Sequence, residues 1–157
     1  MTKGVKQTCI AAGIVLLAVA IDQLSKVYIK THFELGEARE VFSWFWIVFV
    51  ENNGMAFGIE WFSKLFLTLF RILAVGVLGW YIHTMIHKQE VRTSYLTMIS
   101  LITAGALGNI IDCVFYGKIW GYADWFYGKV VDMLYFPLIR NAAGECLFFR
   151  PVFNIAD

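Results

Sequence analysis

The sequence predicts a mainly α-helical integral-membrane protein, a bundle of long helices with a small β segment on the outer membrane surface. Hydrophobic residues make up 59% of the 157 residues and charged residues only 16%, and the mean hydropathy is +0.65. Soluble domains are about half apolar and about a quarter charged. Three apolar runs are long enough to cross a bilayer, whereas residues 41–60 favour β-strand. The length indicates one domain over 1–157, and a net charge of +1 gives no reason to expect nucleic acid as a partner.

The first predicted helix covers about residues 8–29, around the run "IAAGIVLLAVAI". Its basic start is typical of a signal peptide, but "DQLSK" follows the run in place of a small-residue cleavage site, which favours a retained helix. Asp22 and Lys26 are four residues apart near its outer end and share one face. They are expected to form a structural salt bridge, unless the lysine extends towards the interface.

Two further helices are predicted, at about 61–86 and 94–115. Arg71 lies inside the first of these, where it either reaches the interface or neutralises a carboxylate. In the second, Gly105 and Gly108 allow a neighbouring helix to approach closely. Asn109 and Asp112 follow one turn apart on one face, and an interhelical hydrogen bond would account for Asn109 alone.

The distribution of lysine and arginine predicts the orientation of the bundle. Lys3 and Lys6 precede the first helix, and Lys88 and Arg92 lie in the short loop between the second and third. Short basic loops stay in the cytoplasm, so residues 30–60 and everything after the third helix are expected outside.

The outer part is expected to hold a β segment at about 41–60 and a loop at about 117–153. "VFSWFWIVFVENNGMAFGIE" is aromatic and β-branched, and Asn53–Gly54 is a strong hairpin signal. Trp44, Trp46 and Trp61 could anchor this segment at the interface, or they could simply belong to an aromatic belt.

Two acids on the outer side suggest chemistry. Asp132 lies in "KVVDM" and Asp157 in "FNIAD", both in apolar surroundings. The three histidines form no zinc pattern, a serine–histidine pair is unsupported, and the three widely spaced cysteines are interpreted as apolar filler. Two carboxylates that converge and share one proton could act as base and acid in peptide hydrolysis. No metal or cofactor is therefore expected.

The order of five motifs resembles a known family. "DQLSK", "ENNGMAFG", "GNIID", "GKVVDM" and "FNIAD" occur in sequence from the first helix to residue 157, and together they resemble the bacterial lipoprotein signal peptidases, or signal peptidase II. The resemblance implies an aspartic endopeptidase of the inner (cytoplasmic) membrane with its active site on the periplasmic face. Such an enzyme removes the signal peptide of diacylglyceryl-modified prolipoproteins, cutting before the lipidated cysteine.

Carried over residue by residue, the resemblance implies roles for nine positions. Asp132 and Asp157 correspond to the catalytic pair. The others would contact substrate or support the pair, except that Asp22 and Lys26 would be structural; the supporting positions are Asn52, Gly54, Asn109, Asp112 and Asn154. The implied partners are prolipoprotein substrates and membrane lipid, and we expect a monomer.

Three features depart from the family pattern. Cys113 stands where the family has an arginine, and Arg71, Arg140 and Arg150 are candidates to replace it. An aromatic insertion at 117–131 carries Asp124, interpreted as a solvated acid. The family has a fourth helix after "FNIAD", so we expect this chain to be truncated before it. A non-catalytic binding or assembly factor, or a small proton-coupled transporter, remains as an alternative.

Overall fold

A computed structural model of the chain describes residues 2–53, 63–88, 91–140, 146–148 and 151–157. Gly54 and Trp61 lie outside the described residues, and so does the turn predicted at Asn53–Gly54.

Three long helices cross the length of the molecule: α1 (Lys3–His32), α2 (Lys64–His87) and α3 (Thr93–Ile111). All three are long and apolar enough to span a membrane. α1 is longer at both ends than the predicted span of 8–29, because a helix can continue through polar residues outside the hydrocarbon. The ends of α2 and α3 lie within four residues of the predicted ones. The hydroxyl groups of Thr2 and Ser63 accept hydrogen bonds from the first turns of α1 and α2. Large apolar side chains remain exposed along these helices, as expected of surfaces that face lipid; they include Leu16, Leu17, Leu24, Phe70, Leu73 and Trp80.

The outer end of α3 continues as a π-helical turn, Asp112–Tyr116, and a short helix α4, Gly117–Ile119. The widened turn leaves carbonyl groups without helical partners. The returning chain supplies donors, because the Phe126 amide donates to the Val114 carbonyl at 3.1 Å and the Gly128 amide to the Cys113 carbonyl at 2.9 Å. A side chain at Gly128 would collide with the Asp112 carbonyl oxygen, so this close return requires glycine.

A four-stranded antiparallel sheet covers this end of the bundle. Its strand order is β1 (Ala38–Phe42), β2 (Phe45–Asn52), β3 (Val130–Tyr135) and β6 (Val152–Phe153). A separate pair is formed by β4 (Ile139–Arg140) and β5 (Cys146–Phe148). The region predicted as a loop at 117–153 therefore contains strands. A buried apolar cluster joins the sheet to α1 and the end of α3; its members are Ile29, Phe33, Phe49, Tyr116, Val131 and Met133.

The β segment contains a hairpin before the Asn53–Gly54 signal, whose own turn lies outside the described residues. β1 and β2 pair through a turn at Ser43–Trp44, and β2 then runs on to Asn52. Trp44 is exposed at this turn and stacks on Phe42 with ring centroids 5.5 Å apart. Pairing of β2 with β3 on its other side extends the strand, and this partner lies about eighty residues away in the sequence.

Candidate active site

Asp132 lies on β3 opposite Val50 of β2, at the centre of the sheet, and only 3% of it is exposed. Each of its carboxylate oxygens accepts a side-chain amide hydrogen. Asn52 Nδ2 donates to Oδ2 at 3.1 Å, and Asn154 Nδ2 donates to Oδ1 at 2.7 Å. The sheet positions both donors, because Asn52 ends the neighbouring strand β2 and Asn154 directly follows β6.

Asp157 lies in the turn after β6 and is exposed. Its Oδ1 accepts a hydrogen bond from Asn109 Nδ2 at 3.1 Å, and its Oδ2 accepts one from the Asn154 backbone amide at 3.1 Å. Asn154 therefore contacts both aspartates, one through its side chain and the other through its backbone. The two acids that the sequence placed 25 residues apart share this asparagine.

The surroundings of Asp132 favour its protonated form. Burial raises the pKa of the Asp132 carboxyl, and the negative charge of Asp157 acts in the same direction. The amide groups of Asn154 and Asn52 favour the ionised form, but they do not cancel the effect of burial. A buried acid with a raised pKa beside an exposed, hydrogen-bonded carboxylate is an arrangement suited to proton transfer.

A buried ion cluster lies next to these acids. The Lys26 ammonium is 2.8 Å from Asp22 and 2.7 Å from Asp112, and it donates to Asn109 Oδ1 at 2.9 Å. Gln23 Nε2 donates to both carboxylates of the cluster. The expected pair of Asp22 and Lys26 therefore forms, and it bridges α1 to the end of α3 rather than reaching towards the interface.

The glycines of α3 allow two different close approaches. A side chain at Gly108 would collide with the Asp22 carboxylate of α1, and one at Gly105 would collide with the Ala156 carbonyl. The predicted close approach of a helix is thus seen at Gly108, whereas Gly105 admits the segment that carries Asp157.

The features that depart from the family pattern lie around this centre. Cys113 is buried, and Arg71 Nη1 lies 3.6 Å from its sulfur. Asp124 is exposed and pairs with Lys118 at 3.2 Å, away from the two site aspartates. The side chains of Arg140 and Arg150 lie outside the described part of the molecule.

Residue-by-residue reasoning missed a second ion cluster beside the site. Glu51 precedes Asn52 on β2, and its carboxylate pairs with Lys30 of α1 and, at 3.3 Å, with Lys129. The rings of Phe49, Trp120 and Tyr122 surround the Lys30 ammonium, with centroids 4.9–5.5 Å away. A carboxylate within an apolar strand needs a partner, which is the signal that could have found this cluster.

Across the described ranges, no group of three or more histidine, cysteine or acidic side chains is arranged to hold a metal ion. The centre consists instead of carboxylates and amides.

Comparison with known proteins decides the family. Residues 14–157 match the sequence profile of the family described as signal peptidase (SPase) II. The chain belongs to the signal peptidase II family. A lipoprotein signal peptidase of Porphyromonas gingivalis is 44% identical, over 94% of this chain and 76% of that protein. One from Streptococcus pneumoniae is 33% identical, over 97% of this chain and 85% of that protein.

Solved structures agree with this membership of the signal peptidase II family. A bacterial membrane enzyme determined by the in meso method at 2.3 Å resolution superposes with a TM-score of 0.69 and 30% identity, covering 93% of this chain and 77% of that one. A second, at 1.9 Å resolution, gives 0.65 and 28%, covering 93% and 81%. The chain is thus a multi-pass bacterial membrane protein of a peptidase family, with three apolar helices and a small antiparallel sheet.

Proposed function

We propose that this protein is an aspartic endopeptidase in which Asp132 and Asp157 form the catalytic pair. The observation that carries the proposal is their shared contact with Asn154, which joins one buried and one exposed carboxylate in a single hydrogen-bonded centre. In the proposed reaction, the two acids linked through Asn154 share one proton.

Hydrolysis would use that single proton as follows. The ionised carboxylate takes a proton from a water molecule whose oxygen attacks the scissile carbonyl carbon. The protonated carboxyl gives its proton to the carbonyl oxygen, which forms a tetrahedral diol. As the diol collapses, one of its hydroxyl groups returns a proton to the carboxylate that had protonated the carbonyl, the carbon–nitrogen bond breaks, and the leaving amine takes a proton from the acid that accepted one from water. Burial and the pKa of Asp132 favour it as the initial acid and Asp157 as the initial base.

The amides would hold the pair in register for this reaction. Asn52, Asn109 and Asn154 donate to the two carboxylates, and their rotation is restricted by the strands and helix that carry them. Displacement of about 1 Å in such a centre can cost roughly 100-fold in rate.

The substrate class follows from the relatives, which are named lipoprotein signal peptidases. We propose that this chain cleaves diacylglyceryl-modified prolipoproteins before the lipidated cysteine, in the bacterial inner membrane and on its periplasmic face. The site lies at the end of the bundle where α1 ends and α2 begins, next to the β-sheet. A lipid-anchored substrate would meet the two aspartates at such a membrane boundary.

Transport is the alternative that this placement disfavours. A proton-coupled transporter would be expected to hold its acids near the middle of the bilayer. Asp132 lies on a strand outside the three long helices, and Asp157 follows another strand.

The test is cleavage of a diacylglyceryl-modified precursor by Asp132→Asn and Asp157→Asn variants, with Asp124→Asn as the matched control. General acid and base groups contribute about 100- to 10,000-fold each, so both site variants should lose at least about 100-fold in kcat. Asp124→Asn should retain parental activity because that carboxylate is exposed and its ion-pair partner, Lys118, is exposed as well. Mass spectrometry of the released signal peptide measures the rates, with an unlipidated precursor run in parallel.

An Asp132→Asn or Asp157→Asn enzyme with parental kcat would exclude the catalytic pair. Equal cleavage of lipidated and unlipidated precursors would exclude the proposed substrate class while leaving the pair intact.

A further inference from the structure

Two hydrogen bonds lead from Lys26 through Asn109 to Asp157, and in both the donor is on the Lys26 side. An ammonium group has three donors and no acceptor. The three donors of Lys26 face three acceptors, which are the carboxylates of Asp22 and Asp112 and the side-chain oxygen of Asn109. The Lys26 side chain is fully buried, so these contacts are shielded from solvent.

This cation settles the orientation of the Asn109 amide. Because Oδ1 of Asn109 faces the ammonium, Nδ2 is turned towards Asp157, where it donates to Oδ1 at 3.1 Å. The same Asn109 oxygen also accepts from Asn154 Nδ2 at 3.2 Å. A reversed amide would place its nitrogen against both of these donors and its oxygen against the Asp157 carboxylate.

Asn154 is oriented by the backbone in the same way. The amide of Ala156 donates to Asn154 Oδ1 at 2.8 Å, which leaves Nδ2 to face Asp132 and Asn109. Both aspartates therefore meet amide donors, and two donors face the Asn109 oxygen, of which the buried Lys26 ammonium is the charged and closer one.

We infer that Lys26 is a positioning residue for the catalytic pair, acting through Asn109 to keep a hydrogen-bond donor against Asp157. The inference rests on the proposed function of Asp132 and Asp157. Without the ammonium, the Asn109 amide can rotate and present its oxygen to Asp157. Two acceptors in contact favour uptake of a proton by the acid, so the pH range in which the pair holds one proton moves upwards.

Charged groups from several elements surround the path from Lys26 through Asn109 to Asp157. Asp22 lies on α1, Asp112 begins the π-helical turn, Asp132 lies on β3 and Asp157 follows β6. The Tyr116 hydroxyl contacts the cluster through Gln23. A useful test must therefore remove the Lys26 contact without changing the total charge of these groups.

The double variant Lys26→Met/Asp112→Asn does this, because it removes one positive and one negative charge. We expect kcat to fall by roughly 10- to 100-fold with little change in KM, and the pH of maximal cleavage to rise by about one unit. Lys26→Gln/Asp112→Asn restores a donor without a charge, and it should recover part of the loss. The matched control is Lys118→Met/Asp124→Asn, which removes an exposed lysine–aspartate pair and should keep the parental profile.

A purely structural role predicts a different result. Loss of folded protein lowers the rate by the same factor at every pH and leaves the position of the profile unchanged, which would overturn the inference. Asn109→Leu is a second variant that keeps the Lys26 ion pairs and removes the donor to Asp157 without adding a charge, so its profile should also move upwards. If the Lys26 variants do not fold, an unmoved profile in Asn109→Leu overturns the inference alone. Parental cleavage by Asp132→Asn, measured in the same assay, would instead remove the proposed function on which it rests.

Discussion

At the residue scale, the buried carboxylates differ in whether an ammonium or an amide group donates hydrogen bonds to them. Asp22 and Asp112 share the Lys26 ammonium, and Glu51 faces two lysines, whereas both oxygens of Asp132 accept from asparagine amides. An ammonium partner favours the ionised form strongly, while a neutral amide does so less. The acid for which we propose proton exchange is thus surrounded by amides, whereas the acids paired with ammonium groups take no proton-transfer step in the proposal.

Glu51 makes this distinction measurable through the pH dependence of stability. Burial raises the pKa of Glu51, but the ammonium groups of Lys30 and Lys129 outweigh it and hold the pKa below its usual range. A lowered pKa in the folded state stabilises the protein above the unfolded pKa, and this contribution is lost as pH falls through the folded value. Glu51→Gln should therefore lower the Tm by a few degrees near neutral pH, and the difference should narrow as the pH falls below the usual glutamate pKa of about 4.

Thermal unfolding of purified protein across this pH range measures the effect. Glu40→Gln is the matched control, because Glu40 is exposed on β1 and its loss should leave the Tm unchanged at each pH. If the Tm of Glu51→Gln stays equally far below the parental Tm at acid pH, ionisation of Glu51 does not stabilise the fold.

At the scale of elements, the sequence predicted those helices that depend on local composition. The three helices follow from long apolar runs, which have few alternatives in a membrane. Strand β3 lies in the region predicted as a loop, and it pairs with β2, about eighty residues earlier in the sequence, and with β6. Pairing between distant segments, rather than propensity, decides such strands.

The site residues likewise include contacts that the sequence predicted and contacts that depend on tertiary packing. The motifs predicted which acids and amides converge because a family resemblance carries tertiary information. Spacing alone predicted the pair of Asp22 and Lys26, four residues apart on α1. It could not predict that Lys26 also reaches Asn109, since this contact depends on the packing of α1 against α3.

Gly105 couples α3 to the segment that carries Asp157, and this coupling gives a prediction. A methyl group at Gly105 would overlap the Ala156 carbonyl oxygen, which is backbone and cannot rotate away. Gly105→Ala should displace Asp157 from Asn109 and lower the cleavage rate by roughly 100-fold. The helix itself should insert normally, because alanine favours helix over glycine by about 1 kcal/mol.

Gly79→Ala provides the control for helix propensity. No atom lies within 4 Å of the position that a side chain at Gly79 would take among the described residues, so this variant of α2 should retain parental cleavage. Both variants are compared for membrane content and for cleavage of the same precursor. Parental activity in Gly105→Ala would show that the segment after β6 can shift without loss of function.

At the scale of the whole molecule, the two ends of the bundle differ in character. One end joins α1 to the short loop between α2 and α3, where Gln7 donates to the Val91 carbonyl at 2.9 Å, and carries the basic residues Lys3, Lys6, Lys88 and Arg92. The other end carries the sheet, the aromatic insertion and both site aspartates. Short loops determine orientation by their lysine and arginine content, so the basic residues at the first end predict that this end faces the cytoplasm.

This orientation can be tested with single cysteines in a chain whose native cysteines are replaced by serine. Asp124→Cys lies at the sheet end, where the native side chain is 83% exposed, and Lys88→Cys lies at the basic end. In spheroplasts, a membrane-impermeant maleimide should label Asp124→Cys directly and Lys88→Cys only after the membrane is permeabilised. The reverse pattern would place Asp132 and Asp157 in the cytoplasm, where a precursor exported across the membrane could not reach them. Because the two positions lie at opposite ends of the same bundle, each serves as the control for the other, and labelling of both without permeabilisation would indicate leaky membranes rather than either orientation.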